Sequence, residues 1–168
     1  MAVDPLKSLN LHELQKNMKT QAYRRDLCFI RTFRPRQGYD EVGDLNEDFP
    51  TGLADIPRLN GVYIIASTGQ RFVYPNHTSR IIYIGQADDL RRRIHEHRQH
   101  LRNLGKAFAN KMWCCDRYHY MDRFGARVYY YKCLQKQESK DLESMIMEAF
   151  YEYYLATPVG NGARSFRK

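Results

Sequence analysis

The spacing of apolar positions changes along the chain. Between residues 6 and 27, Leu6, Leu9, Leu11, Leu14 and Met18 recur at roughly helical spacing, which predicts one N-terminal helix. From Gly61 the apolar runs become short and continuous: Val62 to Ile65 and Ile81 to Ile84 are rich in β-formers and predict neighbouring strands. Ser67-Thr68-Gly69 between them is turn-like, and Arg71 to Tyr74 extends the hairpin as far as Pro75-Asn76. Helical spacing returns after Gly85. Asp88 or Asp89 can cap a helix over about 89–104, with Leu90, Ile94, Leu101 and Leu104 as its apolar stripe and an Arg-rich opposite face. A further helical stretch is predicted over 106–121, a third strand over 126–134 and an amphipathic helix over 141–155, ended by Pro158. Strands and helices are mixed, so the predicted class is α+β: a small central β-sheet flanked by helices, with an N-terminal helical arm.

Charge divides this pattern. Residues 16–36 hold seven basic residues and one acid, Asp26, whereas 40–55 hold six acids and no base. Pro50, Gly52 and Pro57 punctuate the acidic stretch. The expected organisation is an arm and acidic linker over 1–57, followed by one main domain over 58–168. With 168 residues and 43% hydrophobic composition the chain is long enough to bury its own core. No stretch reaches the roughly 18 apolar residues of a membrane span, and no secretory leader pattern opens the chain, so a cytoplasmic protein with no membrane partner is expected. Cys28, Cys114, Cys115 and Cys133 include no C-x-x-C spacing and suggest neither a zinc knuckle nor a disulfide ladder. The net charge is +8, and residues 61–168 carry 18 basic and 10 acidic side chains, so the whole surplus falls there. A polyanion is the natural partner of such a surface, and a basic face that only aids solubility is its alternative. Tyr118, His119, Tyr120 and Arg123 can stack on a nucleic acid or, equally, pack in the core.

Candidate chemistry sits on the two best-defined strands and on the helix after them. Gly61-Val62-Tyr63 lies on one strand, Tyr83-Ile84-Gly85 on the next, and Arg93 follows ten residues after Tyr83. Glu143 to Glu148 lie on the late helix, with Pro158 and Asn161 beyond it. In this order the residues resemble the GIY-YIG nuclease superfamily over about 61–162. The resemblance implies a phosphodiester-cleaving enzyme whose site uses Tyr63, Tyr83, Arg93, His97 and Glu148, with Gly61, Gly85 and Asn161 supporting them. The physical chemistry is compatible. An Arg93 fork can hold a phosphate through two hydrogen bonds at any working pH. His97, at i+4 from Arg93, shares its helix face and can take a proton from Tyr63 or from water. Either Tyr63 or His97 can serve as the general base, although a tyrosine near pKa 10 needs a neighbouring cation to do so. Glu148 is the expected ligand of a hard divalent cation, Mg²⁺ or Mn²⁺.

The residues have plainer readings as well. Tyr63 and Tyr83 taken singly suit core packing, the Arg91–Arg93 run suits a solvated helix face, Glu148 suits a buried salt bridge, and Asn161 suits a turn. Glu143 is the competing carboxylate, with a position that matches the family's helix-start acid. Tyr63 and Tyr83 stand twenty apart, about twice the compact family spacing, so 67–80 reads as an insertion, and 103–127 as a second. Arg71, Arg80, Arg91, Arg92, Lys106 and Lys111 are the expected contacts to double-stranded DNA. Gln86 stands where some relatives have Lys, so Arg71 or Arg91 would have to replace it. Taken together, the expectation is a metal-dependent, site-specific restriction-like or phage/mobile-element endonuclease, able to form a homodimer on DNA. A structure-selective repair or recombination nuclease and a non-catalytic binding module of the same fold are the alternatives.

Overall fold

A computed structural model describes residues 40–45, 55–104 and 115–162. Its elements are β1 (Asp40–Asp44), β2 (Asn60–Ala66), β3 (Phe72–Val73), β4 (Thr78–Ser79), β5 (Ile81–Ala87), α1 (Leu90–Arg102), α2 (Cys115–Phe124), β6 (Arg127–Cys133) and α3 (Lys136–Tyr154). The class is α+β, as expected. Four strands form one antiparallel sheet in the order β1-β6-β2-β5, and β3 pairs with β4 apart from it. The N-terminal arm lies outside the described residues, as do Lys106 and Lys111.

The two inner strands read as unbroken apolar runs because both of their faces are covered. On one face, Val62, Ile64, Ile84, Tyr129 and Tyr131 pack with Leu142, Ile146 and Phe150 of α3. On the other, Tyr63, Ile65, Ile82, Val128 and Tyr130 meet Leu90, Ile94 and Leu101 of α1 and Tyr118 and Met121 of α2. A bulge in the β2–β5 ladder leaves Ile82 as an extra residue, since Ile65 faces Tyr83 while Ala66 faces Ile81. An added residue reverses which side chains point to which face. Ile82 and Tyr83 therefore both turn toward α1 and α2.

Three boundaries differ from the sequence reading. Residues 40–44, read as part of an acidic linker, form a strand paired with β6, so the sheet extends back past the expected boundary at 57. Charge composition is a poor guide to an edge strand, whose pairing is made by backbone. The late helix begins at Lys136 rather than near 141, because Glu138 reaches back to accept from the backbone N–H of Leu134 at 2.8 Å and of Gln135 at 3.4 Å. The helix expected over 106–121 is found at Cys115–Phe124. By contrast α1 starts where the sequence places it, with Asp89 Oδ1 accepting from the Arg92 N–H at 2.9 Å.

Residues 67–80, read above as an insertion, hold the short β3–β4 hairpin, which is moored at two points. Tyr74 is buried against Phe150 and Tyr154 of α3, and its hydroxyl donates to the Ile81 carbonyl at 3.2 Å. Phe72 packs edge-on to Tyr120 and Phe124 of α2. The hairpin and α2 thus pack together through Phe72.

Candidate active site

Strand β2 carries Tyr63 inward onto the α1 side, with none of its side chain exposed. Helix α1 brings two residues to its hydroxyl from successive turns. His97 Nε2 lies 2.8 Å from the Tyr63 hydroxyl, and Arg93 Nε donates to the same oxygen at 3.4 Å. Tyr83, half-buried on β5, adds its ring 5.8 Å from that of Tyr63 and 5.6 Å from that of His97. These four residues, drawn from two strands and a helix, form one cluster.

The glycines of the two tripeptides make the cluster sterically possible. A Cβ on Gly85 would stand 2.8 Å from the Tyr63 hydroxyl and 2.6 Å from the Tyr83 ring. A Cβ on Gly61 would stand 2.2 Å from the Tyr131 carbonyl and 2.6 Å from Leu90, so the close approach of α1 to β2 also requires glycine.

Burial sets the protonation states. His97 is pushed down to about 3 by desolvation first and then by the positive charges of Arg93, Arg117 and His100, so it is neutral at physiological pH. Tyr63 is raised well above its ordinary value, again chiefly by burial, and keeps its proton. Arg93 can only donate to Tyr63, which leaves the phenolic proton for His97 Nε2. The Nδ1 proton then points at the hydroxyl of Tyr118, 3.1 Å away on α2. Sequence alone does not separate a core role for Tyr118 from a DNA-stacking one; the residue is buried, and only the position of α2 over α1 reveals its partner. Arg93 also pairs with Glu96 through Nη1 at 2.9 Å.

The carboxylate that α3 brings to this strand is Glu143. Its Oε1 accepts from the Gln86 N–H at 3.1 Å, one residue beyond Gly85, and burial raises its pKa. Glu148, the expected metal ligand, is exposed on the same helix. Five residues rotate a helix by about 140°, so the two acids cannot share a face, and the side of α3 packed on the sheet carries Glu143 to β5. Asn161 closes the outer edge of β5: it accepts from the Ile84 N–H at 2.9 Å and donates to the Ile84 carbonyl at 2.6 Å.

The expected DNA contacts are scattered. Arg91 Nε donates to the Ile56 carbonyl at 2.6 Å, Arg71 Nε to Thr78 at 3.0 Å on the hairpin, and Arg80 Nη1 to the Thr68 carbonyl at 3.3 Å. Arg92 is exposed and pairs with Glu96 at 2.9 Å. No group of three or more His, Cys, Asp or Glu side chains able to hold a metal exists among the described residues. No helix among them is long and apolar enough to cross a membrane.

Residues 59–153 match the model of the GIY-YIG catalytic domain, a span that contains Tyr63, Tyr83, Arg93, His97 and Glu143. No curated protein and no solved structure matches the chain. With more than half of its length covered by that domain, the chain belongs to the GIY-YIG family of endonucleases, which act on the phosphodiester bonds of nucleic acids.

Proposed function

We propose that this protein is a divalent-metal-dependent DNA endonuclease that cuts duplex DNA at specific sites, and that Tyr63, Tyr83, Arg93, His97 and Glu143 carry the reaction. The observation that supports it most is the convergence of Arg93 and His97 on one buried tyrosine hydroxyl.

Hydrolysis of a phosphodiester requires a positioned water and neutralisation of the charge that builds on the phosphoryl oxygens. Arg93 spends Nε and Nη1 on Tyr63 and Glu96, which holds its guanidinium plane rigid and keeps Nη2 for a phosphate oxygen. Tyr83, the more exposed of the two tyrosines, orients the water, and Tyr63 stands behind it. The neutral state of His97 supports a positioning role for that residue. A group held near pKa 3 is a weak base, whereas a neutral imidazole fixes the direction of the Tyr63 hydroxyl well.

Glu143 suits a hard cation. It is half-buried, has one oxygen bonded to a backbone N–H, and gains from a positive neighbour because burial penalises its charge. One protein carboxylate is enough for Mg²⁺ when waters and phosphate oxygens complete the shell. When bound, such an ion supplies Lewis-acid polarisation of the phosphate and a lowered pKa of water. The joined hairpin and α2, with Arg71 exposed on the hairpin, support recognition of duplex sequence by a body lying beside the cluster.

The test is cleavage of supercoiled plasmid and phage DNA with Mg²⁺, Mn²⁺ or EDTA by the wild type, Glu143→Ala and Glu148→Ala. Discrete, metal-dependent fragments are expected from the wild type and from Glu148→Ala, with a loss of at least about 10²-fold in Glu143→Ala. Full activity of Glu143→Ala, or activity in EDTA, would overturn the assignment. A smear would remove site specificity, and cleavage confined to junctions or flaps would point to a structure-selective enzyme.

A further inference from the structure

We propose that Arg117, on α2, is a second phosphate-binding residue of the active site, held against the ring of Tyr83. The proposal rests on the nuclease reading and adds a residue from the 103–127 insertion to its chemistry.

The guanidinium carbon of Arg117 lies 4.6 Å from the centroid of the Tyr83 ring. A guanidinium over a ring face can make this contact through its own face, which leaves its in-plane N–H groups available to a ligand. Those are the donors a phosphate needs. The backbone of the 158–161 segment presses the residue into place, since a Cβ on Gly160 would stand 3.1 Å from Arg117 Cβ and 2.7 Å from the Ile82 carbonyl. The position is therefore built by three elements: the ring of Tyr83 on β5, the turn after α3, and α2 itself.

Charge strengthens the case. Arg93 is matched by Glu96, but no carboxylate pairs with Arg117 among the described residues. Both guanidinium groups are close enough to His97 to oppose its protonation. Glu96 is shared between Arg93 and Arg92, so two cations near one neutral imidazole are left to repel one another until an anion arrives. A phosphodiester bound over Tyr83 would relieve that repulsion, and a transition state with additional negative charge would do so further. The other arginines considered for this role are engaged elsewhere, Arg91 on the Ile56 carbonyl and Arg71 on Thr78.

Single-turnover cleavage of plasmid DNA by the wild type, Arg117→Ala, Arg117→Gln and Arg117→Lys tests the proposal, with gel retardation and urea unfolding measured on the same proteins. Arg117→Ala and Arg117→Gln should lose about 10²- to 10³-fold in cleavage rate, with DNA affinity changed by no more than about tenfold. Arg117→Lys should recover part of the rate. Added guanidinium ion should raise the rate of Arg117→Ala and leave the wild type unaffected, which a purely structural role does not predict. Cleavage by Arg117→Ala within about threefold of the wild type would overturn the proposal. So would a loss that tracks the unfolding midpoint and responds to neither Lys nor guanidinium. A wild type that cuts no DNA would remove the nuclease reading and Arg117's role with it, whereas an active wild type beside an equally active Arg117→Ala would remove Arg117 alone.

Discussion

His97 occupies a position on α1 that its helical neighbours mark as core, between Ile94 and Leu101, yet both of its ring nitrogens have partners. A buried imidazole is tolerated there because Tyr63 and Tyr118 satisfy it, and it is kept neutral because charging it would strand a cation next to Arg93 and Arg117. The pH consequence has a definite sign. The folded pKa of about 3 lies below the ordinary 6.5, so the unfolded chain binds more protons throughout that interval. The stabilisation is complete above pH 6.5 and is lost as the pH falls toward 3. At pH 5.5 the loss is on the order of 1 kcal/mol relative to pH 8. Urea unfolding at these two pH values should show the difference in the wild type, and His97→Gln should abolish it. Tyr118→Phe gives the complementary result. It removes the acceptor of the Nδ1 proton and should cost about 1–3 kcal/mol of stability, measured by urea unfolding at pH 8, while lowering cleavage through the freed ring of His97 rather than through DNA affinity. Equal stability of Tyr118→Phe and the wild type would show that the 3.1 Å contact contributes nothing.

Strand β5 is an edge strand, and its outward-facing groups find partners on α3 and on the turn beyond that helix. The Ile82 carbonyl accepts from the Gly160 N–H at 2.8 Å, Ile84 is bonded on both sides by the Asn161 amide, and the Gln86 N–H is taken by Glu143. An asparagine side chain here imitates a neighbouring strand, which keeps the edge closed. Asn161→Ala would leave the N–H and C=O of Ile84 without those partners. A loss of about 2–4 kcal/mol in unfolding free energy is expected, with Asn161→Asp intermediate because it restores only the acceptor. Indistinguishable stabilities of the three proteins would remove this account of the edge. Much of this element is legible in the sequence: the strand and the capped helix after it are marked by apolar spacing, Tyr63, Tyr83, Arg93 and His97 by the family resemblance, and the fold brings them together. What sequence does not supply is phase. The helix expected over 141–155 contains both Glu143 and Glu148, and which of them meets β5 is decided by which side of the helix packs on the sheet: Leu142, Ile146 and Phe150 are buried there, Glu143 reaches the Gln86 N–H, and Glu148 is left exposed. The strand at 40–44 is concealed for a related reason, because backbone pairing with β6 leaves no apolar signature in an acidic stretch. Tyr118 and Arg117 need α2 to be placed over α1 before either can be connected to the cluster.

At the scale of the molecule, the duplex substrate proposed above would present two strands to one Tyr63–His97–Arg93 cluster. The strands run antiparallel, so the arrangement of groups that suits one phosphodiester suits the other only after a twofold rotation. A single chain would have to release the first cut and bind again in the reverse orientation. Two chains related by a twofold axis could engage both phosphates at once. The surplus of positive charge in residues 61–168, 18 basic against 10 acidic, makes the second arrangement costly without DNA, because two like-charged surfaces must approach each other. The phosphate backbone between them removes that cost. Association on the duplex, and not before it, is therefore the expected order. In gel filtration the free protein should elute with the mass of one chain and the complex with a short duplex with that of two. Plasmid cleavage should rise more steeply than linearly with protein concentration, and nicked circles should not accumulate ahead of linear product. Linear dependence on protein, with a long-lived nicked intermediate, would establish instead that one chain cuts the strands in turn and that its basic surface reorients on DNA between the two events.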